Sequence, residues 1–95
     1  MYAVIRKYQF DQRNGEEVDR KVREVFVPLL EKAPGFVAYY WLDTGKGSGA
    51  SLTVFQDKAG AEESVRIAAN FVREHLAGMT MSSPEITQGE VQAHA

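Results

Sequence analysis

The 95-residue sequence has no cysteine, which excludes disulfide scaffolds, thiolate metal sites and a cysteine nucleophile. It has no long apolar run either. Phe36 to Leu42 is the longest, at seven residues, whereas a membrane span takes about 20. There is no basic excess: eleven Lys and Arg stand against thirteen Asp and Glu, a net charge of −2, which argues against a nucleic-acid partner. Histidine is scarce, and His75 and His94 lie far apart with no carboxylate cluster between them, so no metal site is indicated. The start, Met1-Tyr-Ala-Val-Ile-Arg-Lys, places its charges after the apolar residues, the reverse of a secretory signal. These absences leave the expectation of a small cytoplasmic protein. With 44% hydrophobic and 25% charged residues, it reads as one folded domain over residues 1–95.

What is present is regular patterning. Tyr2 to Phe10 is rich in β-branched and aromatic residues and reads as a strand. Asn14, with Glu17 three residues later, resembles a capping box and predicts a helix start. Val18, Val22, Val25, Phe26, Leu29 and Leu30 then form an amphipathic stripe, with a kink expected at Pro28 and a stop at Pro34-Gly35. Phe36–Leu42 and Ala50–Gln56 read as a hairpin around the glycine-rich turn Asp43–Gly49. Asp57 is a candidate N-cap for a second helix to about Ala77, striped by Ala61, Val65, Ala68, Val72 and Leu76, with Gly78 ready to end it. A last strand follows over Ile86 to Ala93, and Gly89 within it suggests a bulge or a close backbone approach.

The order β-α-β-β-α-β predicts an α+β, ferredoxin-like domain: a four-stranded antiparallel sheet with both helices on one face. Alternation places Phe36, Ala38, Tyr40 and Leu42 on one side of the second strand and Val37, Tyr39 and Trp41 on the other. Neither side is polar, and two helices cover only one. The expectation is therefore a homodimer through the second sheet face; the alternative is a face left merely amphipathic by its Tyr hydroxyls and Trp N–H.

Two stretches carry a family resemblance. Pro34-Gly35-Phe36-Val37-Ala38-Tyr39-Tyr40 and Leu52-Thr53-Val54-Phe55-Gln56-Asp57-Lys58-Ala59 resemble the dimeric α+β barrel superfamily, specifically its antibiotic-biosynthesis-monooxygenase-like branch. The resemblance spans essentially the whole chain. It implies two ferredoxin-like subunits with facing sheets and a pocket between sheet and helices in each. It also implies a possible cofactor-independent monooxygenase activity on a small aromatic or polyketide-like molecule, with no cofactor. Haem-degrading members carry a Trp at the end of the third strand, a His on the following helix and an Asn on the first strand. Here Phe55 stands at the Trp position, the helix has no His before His75, and the first strand has no Asn, which argues against haem degradation.

Candidate chemistry is sparse, and each candidate has a structural alternative. His75 is a candidate general base or a boundary residue meeting a helix C-terminus. Arg66 and Asn70, with Arg73, share one helix face; Arg66 would stabilise an enolate or phenolate if that face met the pocket, although Glu62–Arg66 and Asn70–Glu74 spacing suits a solvated face. Tyr40, Trp41 and Phe55 are candidate ligand-binding walls, or dimer core. Gly45-Lys46-Gly47-Ser48-Gly49 lacks phosphate-loop spacing, no G-x-S-x-G elbow exists, and the RNP pattern of an RNA-binding sheet is missing from the third strand. Two functions remain: an oxygenase-like enzyme, or a non-catalytic ligand-binding or interaction protein of the same fold.

Overall fold

In the computed structural model, which describes residues 1–95, the strands are β1 (Tyr2–Gln9), β2 (Phe36–Gly45), β3 (Ser48–Phe55) and β4 (Glu85–Glu90). Helix α1 (Gly15–Lys21), a π-helical turn over Val22–Phe26 and α2 (Val27–Glu31) run on as one helix; α3 (Lys58–His75) is the other. The strands pair antiparallel in the order β2-β3-β1-β4, the ferredoxin-like arrangement expected from the element order. No helix is long and apolar enough to cross a membrane.

Period-two alternation on β1 buries Val4, Arg6 and Tyr8 beneath the helices and exposes Ile5, Lys7 and Gln9. Ser51, Thr53 and Phe55 of β3 are buried on the same side. Against them the first helical run sets Val18, Val22, Phe26 and Leu30, and the second sets Ala61, Ala68 and Phe71, with Leu76 just past its end. The stripes read from the sequence therefore meet in one core, except at Leu29, which the structure leaves exposed.

Local chemistry departs from the sequence reading in four places. On β2 the register passes from Phe36 opposite Phe55 to Ala38 opposite Val54, leaving Val37 as an extra residue. This bulge reverses the assignment of Phe36: it joins Tyr39 and Trp41 on the helix side, while Ala38, Tyr40 and Leu42 face outward. Of the β2 rings, only Tyr40 is thus left on the outer face. The outer face holds an aliphatic patch of Ala3, Ile5, Ala38, Leu42, Leu52 and Val54, with Tyr40 its one ring, bordered by the exposed Lys7, Gln9, Glu85 and Thr87.

At the first helix, Asn14 makes no side-chain cap. Asp11 does that work a turn earlier: its carboxylate accepts from the Arg13 backbone N–H at 2.9 Å and fixes a 3₁₀ turn over Gln12–Asn14 that leads into α1. At Pro28 the expected irregularity takes the form of the π turn. The Val27 N–H donates to the Val22 carbonyl, and the widened turn sets Pro28 in the first turn of α2, where no donor is required. Gly89 is neither bulged nor crowded, for β4 pairs with β1 in unbroken register through Glu90 and a Cβ there would meet open space.

Elsewhere the punctuation holds. Asp57 accepts from the Gly60 N–H at 2.8 Å, Gly78 ends the segment after α3 at φ +85°, and the β2–β3 hairpin turns through Lys46 and Gly47, both at positive φ. Beyond β4, the Val91 N–H donates to the Met1 carbonyl at 2.9 Å. The last residues then border a hollow of about 350 Å³ on the outer face, with Ala3, Leu52 and Val54 on its other side.

Candidate functional site

One charge interrupts the apolar, helix-facing side of β1. Arg6 is 1% exposed and sits between Val4 and Tyr8. Its Nη2 donates to Thr53 Oγ1 at 2.9 Å and its Nη1 reaches the Ser64 carbonyl at 3.5 Å, while Nε has no partner. The guanidinium carbon lies 6.0 Å from the centroid of the Phe26 ring, which the π turn presents. Burial pulls the Arg6 pKa down from its ordinary value, opposed by the neighbouring Tyr8 and Tyr39. Burial also pushes the Tyr8 and Tyr39 hydroxyls up, so both stay protonated at neutral pH. Ser51 Oγ, on the adjacent strand, is buried without a partner.

These groups line a cavity between sheet and helices. Its tight inner part, about 20 Å³, is enough for one water and is walled by Arg6, Tyr8, Phe26, Tyr39, Trp41, Ser51 and Phe71, with aliphatic residues of both helical runs. Outside it lies a wider hollow of about 320 Å³ between α3 and the connector to β4, bordered by Val65, Ala69, Val72, Met81, Ser82, Pro84 and Ile86. Arg6, Tyr8, Val72 and Met81 belong to both, so the guanidinium stands where the two spaces join. No acidic residue lines either space.

Trp41 closes the far wall. Its ring lies 6.1 Å from Tyr8 and 6.5 Å from Phe10 between centroids, and its Nε1 donates to Asp19 Oδ1 at 2.8 Å. Gly49 makes room for it: a Cβ at that position would stand 2.5 Å from Trp41 Cη2 and Cζ2. Asp19 itself has a raised pKa, through burial first and the nearby Asp43 carboxylate as well, against the lowering effect of the Trp41 hydrogen bond.

Searches against known proteins match this geometry at the level of fold. No protein-family model matches the chain, and no curated protein does. Solved structures do. A protein of unknown function from Nitrosomonas europaea, NE2512, superposes with a TM-score of 0.83 at 21% identity, covering 99% of this chain and 91% of its own. MhuD, a heme-degrader from Mycobacterium tuberculosis, gives 0.76 at 15% identity over 100% and 99% of the two chains. SnoaB, a cofactor-independent oxygenase from Streptomyces nogalater, gives 0.67 at 14% identity over 98% and 94%. The likeness is one of fold, and an antibiotic biosynthesis monooxygenase shares it with a TM-score of 0.75 at 16% identity.

Within that fold the residues singled out from the sequence scatter. Trp41 lines the inner cavity. Tyr40 is 60% exposed on the outer face. Phe55 is buried at the end of β3, edge-on to Phe36 at 5.8 Å, and borders a different hollow with Ala33, Pro34 and Gly35. Arg66 is exposed and paired with Glu63, and Asn70 accepts from Arg73 Nη2 at 2.6 Å along the same helix flank. His75 stacks on Phe71 at 5.4 Å, and its carbonyl accepts from Lys21 Nζ at 2.8 Å; it borders neither space. The haem-degrading set is absent in space as in sequence, since β1 presents Arg6 and no Asn, β3 ends in Phe55, and α3 holds its one His at its last residue.

Arg6, Tyr8 and Ser51, which converge with Tyr39, are not among the candidates named from the sequence. The signal was available. In the alternating series Tyr2, Val4, Arg6, Tyr8, Phe10, a single ionised side chain falls on a face that must be buried, and a buried polar group carries more information than any exposed apolar one.

Proposed function

We propose that this is a homodimeric small-molecule-binding protein of the cytoplasm that admits a flat, largely apolar molecule between sheet and helices. Its chemistry is that of a cofactor-independent monooxygenase-like enzyme. The observation that supports this reading is the two-part cavity. An aromatic inner cleft of about 20 Å³ opens into a 320 Å³ hollow of the size small ligands use, with polar groups few and grouped at the junction. An electron-rich substrate held there, with its acidic C–H or O–H ionised, would meet dioxygen away from bulk water. Electron transfer to dioxygen and recombination give a hydroperoxide at carbon. Loss of water then leaves a carbonyl, so that a CH₂ group and O₂ become C=O and H₂O. The outer face supports the dimer: Ile5, Tyr40 and Leu42 are 39%, 60% and 56% exposed on a continuous apolar sheet surface, which a second copy covers most economically.

The decisive experiment measures oxygen consumption by the full chain with a panel of anthrones, naphthols and quinols. Ala69→Trp serves as the comparison, because it fills the outer hollow from an exposed helix position. Turnover by the natural chain that falls at least tenfold in Ala69→Trp, at unchanged melting temperature, supports the enzyme. One observation favours a second reading, a non-catalytic binding protein: neither space is lined by a histidine or carboxylate that would serve as a general base. Ligand binding blocked by Ala69→Trp, with no oxygen uptake from any member of the panel, would establish that reading instead.

A further inference from the structure

Thirteen Asp and Glu residues are available in this chain, and none is placed beside its most buried cation. A guanidinium has five N–H donors. Those of Arg6 meet two acceptors, Thr53 Oγ1 and the Ser64 carbonyl, both neutral, and the second contact is long at 3.5 Å. Nε meets nothing, and the Ser51 hydroxyl in the same cavity is also without a partner. Charges are buried at this depth when they are paired, because the effective penalty for an isolated buried ion is several kcal/mol. The Phe26 ring face at 6.0 Å offsets part of that cost and supplies no counter-charge. Arg6 is therefore a fixed positive charge with an unmet Nε–H, buried where the one-water inner space and the outer hollow join.

We infer that Arg6 is the anion-binding residue of this cavity, and that the ligand is a flat apolar organic anion whose ionised oxygen takes the open Nε–H. The inference rests on the reading of the cavity as a small-molecule site and names the class that site selects. The anion enters through the outer hollow, where Arg6 is the only charged lining residue, and its apolar body rests against Val72, Met81 and Tyr8. The two phenolic hydroxyls stay neutral, so they do not repel it. A guanidinium stays charged across the working pH range, which suits it to hold a carboxylate, phenolate or enolate without itself taking the proton. A neutral molecule of the same shape would offer Arg6 at most a neutral acceptor and no counter-charge, and so bind less tightly.

Calorimetric titration of the full chain with 1-naphthoate and with its uncharged counterpart 1-naphthamide tests this. Naphthoate should bind at least tenfold more tightly, and Arg6→Gln and Arg6→Met should each bring the ratio below twofold. Arg66→Gln should leave it unchanged. Thermal melts confirm that each variant is folded, and the comparison on the natural chain stands without any of them. Equal affinities for the two probes overturn the anion assignment and leave the small-molecule site standing. Binding of neither probe overturns both. A naphthoate preference that survives Arg6→Met, or that Ala69→Trp fails to weaken, places the anion elsewhere and also overturns the assignment.

Discussion

The helix-facing side of this sheet carries Tyr8, Tyr39 and Trp41 around a buried arginine, with Phe36 and Phe55 further along, whereas the outer side carries an aliphatic patch of Ala3, Ile5, Ala38, Leu42, Leu52 and Val54 with one ring, Tyr40. Both sides are apolar, yet they are apolar in different ways. Large planar rings with polar edges pack around gaps and leave a cavity with hydrogen-bonding groups at its rim. Short aliphatic side chains on a pleated surface make a shallow, even face suited to another sheet. The proposal of a ligand on the first side and a second copy on the other rests on this difference.

The most severe way to break this comparison is to charge the outer face. Leu52 stands on the central strand pair, opposite Ile5 and Tyr40. In a twofold dimer Leu52→Asp would bury like charges against apolar neighbours, at a cost of about 3–5 kcal/mol. Sedimentation should show the natural chain as a dimer and the variant as a monomer, with the melting temperature dependent on concentration only in the former. A natural chain that sediments as a monomer would remove the partner surface from the comparison.

On the inner side, Arg6→Met should act in the opposite direction. Replacing an uncompensated buried charge by an apolar side chain of similar length should stabilise the unliganded protein by about 1–4 kcal/mol, read as a higher urea midpoint at constant slope. A destabilised Arg6→Met would mean that the guanidinium is already satisfied. Gly49→Ala tests the wall of the same chamber. The new Cβ would stand 2.5 Å from the Trp41 ring and 3.1 Å from the Leu42 carbonyl, so the indole must swing away. The expected loss is about 1–3 kcal/mol, with a red-shifted emission from this sole tryptophan as its Asp19 bond breaks.

How legible these two sides were depended on which signal carried them. Element order, helix stripes and the caps at Asp57 and Gly78 are local and periodic, and the structure reproduces them. The bulge at Val37 is not periodic: nothing in Phe36-Val37-Ala38 announces an extra residue, and that one insertion reassigns Phe36 to the helix side. The Asn14 capping box failed because Asp11, with Arg13 beside it, caps an earlier turn. The candidate site was harder still. Titratable residues on α3 attract attention because they are reactive types, but Arg66 and Asn70 sit in partnerships along the helix and His75 on Phe71. The informative feature was one charge in the wrong place on β1, which a search for motifs does not look for.

The smallest expected effect concerns the rim of the helix-facing side, where Asp19 and Asp43 approach each other beside Trp41. Burial, and then Asp43, raise the pKa of Asp19 above its unfolded value, so the folded state holds its proton more tightly than the unfolded chain does. Ionising it therefore costs stability at neutral pH, and that cost disappears as the pH falls through the raised folded value toward about 3.9, the unfolded one. Asp19→Asn keeps an acceptor for Trp41 Nε1 and removes the repulsion from Asp43. The carboxyl is partly open to solvent, and screening limits the gain at pH 7 to less than about 1 kcal/mol. Urea titrations should show the variant ahead at pH 7 and level with the natural chain near pH 4. A constant gap at both values would mean that the ionisation of Asp19 beside Asp43 is not the cause.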